Sequence, residues 1–492
     1  MSSGCLTDRM YSARVPDAEA RVSGQVPLVV DDDAFLSRDA IIESMFALIR
    51  ARPSVLLRLP RWLAHGLVGL RQGLAREAPP DVLMQSYRAD LLAYLRARRS
   101  EGQPMALIGR GDASAARIVA AELGLFDIVW TRAEFADAGT DQRRELLQRH
   151  FGSGEFDYLG GHGDAHLWRD ACGALLVAPS KHRIRELSGI TTVKAVFARP
   201  AGAVGDYFLS MRPHHWAKNL LLFVAISAAH RWPGPGMSLS LALGFIAFCC
   251  CASSNYLLND LFDLNSDRAN PQTRQRALAS GLIEPSRALI ILCVLLVAAL
   301  AIGWALSTAF LGILVAYYLL MTLYSVRLKE VAVLDVLILA GGYALRVASG
   351  SLIAGITPSA WLIALCMFLF LSLASVKRYA ELIAIGAVVG RAARVRGYLA
   401  SDASMIAMEG IASGYLAVLM LALYTNAPVA RELYGRREFF WGTCLLLLYW
   451  INYLWLMARR GRMSHDPLVF ALRDPTSLAL IAAMGIVTLC AL

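Results

Sequence analysis

The distribution of apolar residues divides this chain of 492 residues into two unlike parts. Before about residue 195, charged residues are frequent, and no apolar run reaches the roughly 18 residues that a membrane-crossing helix needs. After about residue 205 such runs dominate, which is why 57% of all residues are hydrophobic. The pattern predicts a multidomain protein with a soluble domain at residues 1–195 and an all-α membrane domain at residues 205–492.

The apolar segments of the second part predict about nine transmembrane helices. Their centres lie near residues 223, 247, 296, 315, 343, 366, 417, 448 and 483. Arginine and lysine concentrate in the connections after the second, fourth, sixth and eighth segments, while most other connections are short and nearly uncharged. The positive-inside rule therefore predicts that these four connections face the cytoplasm, with a basic stretch around Arg436 as an exception.

Charge and cysteine content narrow the class of protein further. Most of the net charge of +10 lies in the membrane part, where it predicts topology and lipid-headgroup contacts rather than nucleic-acid binding. The nine cysteines show no paired metal-ligand spacing, and the N-terminus lacks the apolar core of a secretory signal. We expect an integral protein of the inner cell membrane with its N-terminal domain in the cytoplasm.

Three aspartates follow the second predicted span. On a helix, Asp260, Asp263 and Asp267 fall at positions i, i+3 and i+7 and project from one face. Clustered carboxylates repel one another unless a cation lies among them, and hard oxygen ligands suit Mg²⁺ shared with substrate phosphates. The spacing predicts a magnesium and diphosphate site at a membrane surface, with a solvated acidic helix end as the alternative.

The N-terminal part alternates strands with helices, which predicts a doubly wound α/β fold. One short apolar strand, residues 26–30, ends in three aspartates. A second strand, residues 105–108, runs into a glycine-containing loop. The helical stretch at about residues 40–98 is predicted to be a cap inserted between them.

These N-terminal features resemble the haloacid dehalogenase-like superfamily. In that resemblance Asp31 matches the nucleophile, Asp33 the acid/base and Asp164 a late metal-binding carboxylate. Ala34 and Gly109 depart from the motifs, since a glycine and a hydroxyl residue are expected there. The departures predict a degenerate domain with a scaffolding or regulatory role, although Asp31 and Asp33 leave a phosphatase step open.

The membrane part resembles the UbiA superfamily of intramembrane prenyltransferases. Asn259, Asp260, Asp263 and Asp267 match every position of its first aspartate-rich motif, and the resemblance implies nine helices around a cavity. Further stretches resemble the decaprenyl-phosphate phosphoribosyltransferases of that superfamily. These stretches are Arg212-Pro213-x-x-Trp216-x-Lys218-Asn219, Tyr324-Ser325-x-x-Leu328-Lys329, Lys377-Arg378-Tyr379-Ala380-Glu381 and the segment from His465 to Asp474.

The second motif distinguishes branches of the superfamily. Lys377, Arg378 and Glu381 stand where quinone and haem prenyltransferases carry a second aspartate cluster. Two fixed cations suit direct phosphate binding better than a second Mg²⁺, although positive-inside anchoring is the alternative role. In the loop after the first motif, Thr273 replaces an expected lysine, whereas Arg276 is retained.

The resemblance implies transfer of a 5-phosphoribosyl group from phosphoribose diphosphate to a polyprenyl phosphate. Mg²⁺ held by the motif would bind the donor diphosphate. The candidates for holding phosphates are Lys218, Lys377, Arg378 and, more weakly, Arg276. Prenyl transfer from a polyprenyl diphosphate to an aromatic or other small acceptor is the alternative. An ion-coupled transporter is a remote one, because the chain shows no internal repeat.

Two charged residues fall inside the fifth predicted span. Arg346 lies deep in it, which predicts a polar cavity. Asp335 lies 11 residues earlier, about 16 Å away by helical rise, so the two are not expected to pair. The oligomeric state is not predicted.

Overall fold

A computed structural model describes residues 25–491 apart from 33–39, 78–88, 110–115, 118–119, 122, 153, 161–164, 198–201, 231–232, 271–272, 358, 391–393 and 464–465. The chain divides into two compact units, Met1–Ala201 and Gly202–Leu492.

The N-terminal unit contains a six-stranded parallel sheet in the order β3-β2-β1-β4-β5-β6. The strands are β1 (Leu28–Asp31), β2 (Met105–Gly109), β3 (Ile128–Thr131), β4 (Asp157–Gly160), β5 (Gly173–Val177) and β6 (Thr192–Phe197). Val29 belongs to one apolar core, while Leu28 and Val30 belong to another, so the sheet is buried on both faces. The predicted doubly wound α/β fold is confirmed, and the haloacid dehalogenase-like identity remains a prediction.

Helices flank this sheet. They are α1 (Ala40–Ala51), α2 (Leu59–Leu63), α3 (Gly66–Glu77), α4 (Ala89–Ser100), α5 (Arg132–Phe135), α6 (Thr140–Phe151), α7 (Ala165–Asp170) and α8 (Lys181–Ser188). The first four lie between β1 and β2 in the chain, so the predicted stretch at residues 40–98 is helical where the structure describes it.

The second unit is helical apart from one short hairpin. Its helices are α9 (Val204–Ser210), α10 (Val224–Ala228), α11 (Pro235–Ala269), α12 (Pro285–Leu306), α13 (Thr308–Val326), α14 (Leu334–Ile353), α15 (Ala360–Val389), α16 (Ala403–Tyr424), α17 (Pro428–Leu433), α18 (Phe440–Arg459), α19 (Pro467–Ala471) and α20 (Pro475–Cys490). The hairpin strands are β7 (Arg394–Val395) and β8 (Tyr398–Leu399), and 3₁₀ turns occur at Pro213–Phe223, Leu328–Glu330, Ala400–Asp402 and Arg437–Phe439.

Seven helices in the described part of this unit are long and apolar enough to cross a membrane, namely α11 to α16 and α18. The span predicted near residue 223 is instead the 3₁₀ segment Pro213–Phe223 followed by the five-residue α10. The span predicted near residue 483 is α20, with 16 residues. Nine full spans are therefore not confirmed.

The 3₁₀ segment packs closely against α14. A Cβ atom built on Gly350 would lie 1.8 Å from the Leu222 carbonyl oxygen, so any larger residue would push the two backbones apart. Asn219 of the 3₁₀ segment is buried and accepts a hydrogen bond from Arg346 Nε at 2.8 Å. The 3₁₀ segment thus buries the polar side chain of Asn219 within the helical bundle, where its hydrogen bond with Arg346 compensates for the loss of water.

Candidate active site

The aspartate motif lies in the last turns of α11, a continuous helix of 35 residues. Asp260, Asp263 and Asp267 therefore have the predicted i, i+3 and i+7 spacing on one helix. Asp260 and Asp267 are buried, and the Asp263 side chain is 15% exposed. Buried carboxylates at this density require compensating partners.

Arginines compensate two of the carboxylates. Arg212 Nη2 donates to Asp260 Oδ1 at 2.5 Å. Arg276 Nη1 lies 2.6 Å from Asp267 Oδ2 and 3.4 Å from Asp260 Oδ1. It therefore bridges two carboxylates that are about two helical turns apart. Arg276, which was predicted as a weak phosphate ligand, is thereby placed at the motif.

A lysine compensates the third carboxylate. Lys329 Nζ lies 2.7 and 2.8 Å from the two oxygens of Asp263 and 3.3 Å from the amide oxygen of Asn259. Lys329 is itself buried, so this ion pair is shielded from water.

Each carboxylate of the motif is paired with a cationic side chain. Among the residues that the structure describes, no three Asp, Glu, His or Cys side chains form a group that could hold a metal ion. The donor set nevertheless fits Mg²⁺, because three carboxylates and the Asn259 amide supply hard oxygen atoms. Magnesium binding by Asp260, Asp263 and Asp267 remains a prediction.

The same unit contains a small cavity of about 50 Å³, which is lined by Lys218, Tyr343, Lys377 and Asp466. Lys218 Nζ donates to Asp466 Oδ2. Burial disfavours charge on this lysine, but Tyr343, Tyr256 and Asp466 outweigh it and raise the pKa of Lys218. Lys218 therefore stays protonated at neutral pH.

Lys377 differs from its neighbours at this cavity. No ion pair or hydrogen bond holds its ammonium group within the described residues, whereas Lys218 is bound to Asp466. A half-buried cation that points into a cavity without a direct partner is able to bind an anion.

Arg378, the other predicted phosphate ligand of this motif, is engaged inside the protein. Its guanidinium donates to Asp335 and to Glu381, and Tyr398 Oη donates to Asp335 Oδ1 at 2.5 Å. Arg378 and Asp335 are both almost completely buried. This network argues against a direct phosphate contact by Arg378.

Arg346 is also fully engaged. Its guanidinium donates to Asn219 Oδ1 at 2.8 Å, to the Gly342 carbonyl oxygen at 2.8 Å and to Tyr317 Oη at 2.6 Å. These contacts fix α14 against the 3₁₀ segment and give Arg346 a structural role, while substrate binding by Arg346 remains a prediction. Arg346 and Asp335 do not pair, as predicted.

Residues 220–474 match the sequence profile of the UbiA prenyltransferase family. The matched segment includes the aspartate motif of α11 and the Lys377 segment of α15, and it spans half of the chain. The chain belongs to the UbiA prenyltransferase family. It is accordingly an integral membrane transferase.

Relatives of this UbiA protein differ in how much of it they match. Uncharacterized protein y4nM of Sinorhizobium fredii is 31% identical over 465 residues, covering 92% of this chain and 88% of that protein. Nodulation protein NoeC of Azorhizobium caulinodans is 34% identical, covering 58% of this chain and 92% of that protein. Decaprenyl-phosphate phosphoribosyltransferase of Mycolicibacterium smegmatis is 36% identical over 188 residues, which are 37% of this chain and 59% of that enzyme.

Solved structures resemble this UbiA protein weakly. A UbiA homolog from Archaeoglobus fulgidus bound to GPP and Mg²⁺ is 17% identical, with 57% of this chain and 99% of that chain covered and a TM-score of 0.44.

Three residues of this region belong to family-like stretches of the sequence, but no role was assigned to them from sequence. They are Arg212, Lys329 and Asp466, whereas Tyr398 lies outside those stretches. Arg212 adopts a left-handed conformation with φ of 54°, which is unusual for a residue with a side chain and directs it toward the motif. The sequence could have marked Arg212 and Lys329 as candidate site residues, because both lie within family-like stretches. Their pairing with Asp260 and Asp263 could not be predicted, because it depends on contacts between segments that are distant along the chain.

His215 provides a pH-dependent test of this region. Burial, with the nearby charges of Lys218 and His214, lowers the pKa of His215 to about 3, and its Nδ1 has no hydrogen-bond partner among the described residues. A histidine with a lowered folded-state pKa costs stability as pH falls below its unfolded value of about 6.5. Replacing His215 with Gln should therefore remove roughly 2 kcal/mol of acid destabilisation at about pH 5.

The measurement is the melting temperature of detergent-solubilised protein between pH 7.5 and 4.5. The wild type should lose more stability than His215→Gln across this range. His182→Gln, which changes an exposed histidine of the N-terminal unit, is the control and should behave as the wild type. Parallel melting curves for all three proteins would contradict a buried neutral His215.

The N-terminal candidate Asp31 lies at the carboxyl end of β1. It is buried, and Tyr158 Oη of the adjacent strand β4 donates to its Oδ2 at 2.8 Å. Asp33 and Asp164 lie outside the described residues, so the structure does not place the other two predicted carboxylates.

Proposed function

We propose that this protein is a Mg²⁺-dependent membrane transferase that moves a 5-phosphoribosyl group from phosphoribose diphosphate to a polyprenyl phosphate. The observation that carries the proposal is the arrangement around Lys377. The described part of this unit has one carboxylate motif, on α11, and a separate cavity lined by Lys218 and Lys377. The partial similarity to decaprenyl-phosphate phosphoribosyltransferases supports the same donor and acceptor.

The aspartate motif would bind the donor. Asp260, Asp263 and Asp267, with Asn259, would hold the metal, which when bound neutralises the donor diphosphate and stabilises the charge that develops on it. Arg212, Arg276 and Lys329 lie within hydrogen-bonding distance of these carboxylates. A metal bound by the carboxylates would compete with these cations, and their N–H groups would then become available to the diphosphate oxygens.

The lysine cavity would bind the acceptor phosphate. Lys377 and Lys218 supply positive charge, while Asp466 keeps the Lys218 side chain in a fixed position. The bond from the anomeric carbon to the diphosphate oxygen breaks, and a bond from that carbon to a lipid phosphate oxygen forms. The acceptor phosphate is already anionic at neutral pH, so the reaction requires no strong general base, and positioning of the two substrates contributes much of the rate.

The basic connections support a cytoplasmic position for this site and for the N-terminal unit, because Arg276 and Lys329 lie in them. The donor would then enter from the cytosol and the lipid from the bilayer. For the N-terminal unit, whose boundary we expect near residues 195–205, a scaffolding or regulatory role is proposed.

The decisive experiment supplies purified protein with Mg²⁺, labelled phosphoribose diphosphate and a polyprenyl phosphate. Label should enter the lipid fraction with release of one diphosphate per transfer, and EDTA should abolish the transfer. The matched reaction contains a labelled polyprenyl diphosphate and an aromatic acceptor, which tests prenyl transfer, the alternative that the family favours. Product in that reaction alone would contradict the proposal.

A further inference from the structure

A second and much larger groove lies between α15, α16 and α18, with a volume of about 900 Å³. Volumes of this size accommodate drug-sized ligands. The helices α16 and α18 are in contact at Gly410 and Trp455 but leave space between them toward the start of α16. At Gly410 the Trp455 ring comes so close that a Cβ atom would lie 2.2 Å from it. Toward the start of α16, small side chains such as Ala403 and Ala407 leave the space open.

This groove is separate from the lysine cavity. Lys377 of α15 lines the cavity, whereas Tyr379 lines the groove. Two residues along a helix correspond to a rotation of about 200°, so these side chains point to opposite faces of α15. A phosphate bound at Lys377 therefore lies on the other side of the helix from the groove.

The lining of the groove is amphipathic. Its inner wall is apolar and includes Leu382, Ile411 and Trp455, while Ser401, Ser404 and Arg459 lie at one end. The contact of Gly410, near the start of α16, with Trp455, near the end of α18, shows that the two helices run antiparallel. The start of α16 therefore lies beside the end of α18, which brings these three polar residues close together.

The polar end of the groove carries a cation and hydroxyl groups with no internal partner. No side-chain hydrogen bond or ion pair engages Ser401, Ser404 or Arg459 within the described residues, and all three are exposed. The neighbouring carboxylate of Asp402 is already bound, since it accepts from the Leu399 N–H at 2.9 Å. Positive charge with free hydroxyls at the mouth of an apolar groove is complementary to an anionic lipid.

We propose that this groove binds one anionic phospholipid of the bilayer, with its phosphate at Arg459, Ser401 and Ser404 and one acyl chain along the apolar wall. The three helices that form it are membrane spans, so its apolar wall faces hydrocarbon rather than water. A lipid chain fills such a space at less cost than water does. The site lies outside the proposed reaction and does not depend on it.

Native mass spectrometry of the full-length protein in detergent tests the proposal, with phosphatidylglycerol and phosphatidylcholine as probes. The wild type should retain one phosphatidylglycerol per chain in preference to phosphatidylcholine. Arg459→Gln should weaken phosphatidylglycerol binding about tenfold or more, because it removes a charged hydrogen-bond donor. Arg462→Gln removes a neighbouring arginine that does not line the groove and should bind as the wild type does.

A second pair of variants tests the apolar wall. Ala407→Leu narrows the groove and should reduce binding, whereas Ala412→Leu adds the same volume to an exposed position of α16 outside the groove. Equal binding of both lipids, equal binding by Arg459→Gln and Arg462→Gln, or displacement of phosphatidylglycerol by a polyprenyl phosphate would each overturn the proposal. The last outcome would assign the groove to the substrate lipid.

Discussion

Asp260→Asn is expected to reduce phosphoribosyl transfer by about 100-fold or more while the protein remains folded. Asp260 is the carboxylate of the motif that two arginines contact, Arg212 and Arg276. The substitution removes a negatively charged metal ligand, and groups that stabilise developing charge in an enclosed site commonly contribute at this scale. The initial rate should be measured over a range of Mg²⁺ concentrations, because loss of a ligand also raises the concentration needed for half-maximal activity.

The matched control is Asp206→Asn. Asp206 belongs to the same unit and carries the same charge, but it accepts a hydrogen bond from the Ala203 N–H at the start of α9 and lies outside the motif. This control should retain the activity and the magnesium dependence of the wild type. Full turnover by Asp260→Asn at an unchanged magnesium requirement would remove the metal hypothesis.

Two adjacent substitutions are expected to have opposite effects. Arg378→Met should lower the free energy of unfolding by about 3–5 kcal/mol, because it leaves the buried Asp335 carboxylate without its cation. Lys377→Met should leave stability almost unchanged, since Lys377 has no ion pair to lose among the described residues, and it should lower kcat/KM for the lipid phosphate by about 10- to 100-fold.

Each of these variants is the control for the other, because both remove one positive charge from the same turn of α15. Stability is measured by chemical unfolding in detergent, and kcat/KM by varying the polyprenyl phosphate at saturating donor. If Lys377→Met destabilises the protein as much as Arg378→Met does, the ammonium group is structural. If Arg378→Met is stable but inactive, the guanidinium contacts substrate, as the sequence alone suggested.

The prediction of the motif from sequence succeeded where periodicity is sufficient. The spacing of Asp260, Asp263 and Asp267 specifies one helical face, and α11 provides it. The sequence treats Lys377 and Arg378 as equivalent candidates for phosphate binding, but adjacent helical residues point about 100° apart. One side chain lines the cavity and the other enters a buried ion network, and no pattern along the chain distinguishes them.

The count of membrane spans shows a different limit. Hydropathy located an apolar segment near residue 223, but it could not show that this segment winds as a 3₁₀ helix. The segment also packs against Gly350 of α14, whose missing side chain lets the Leu222 backbone approach. The close approach joins positions more than 100 residues apart in the chain, so local composition does not contain it.

The sequence by itself determined the division into an α/β unit and a helical membrane unit, the family, and the carboxylate face of α11. These follow from hydropathy, alternation and spacing, which are local properties. Only the tertiary structure decided which cations neutralise which carboxylates: Arg212 and Arg276 at Asp260, Lys329 at Asp263, and Arg378 at Asp335. The physical reason is that burial forces each charge to find its partner in space, and the partner's distance along the chain has no bearing on that choice.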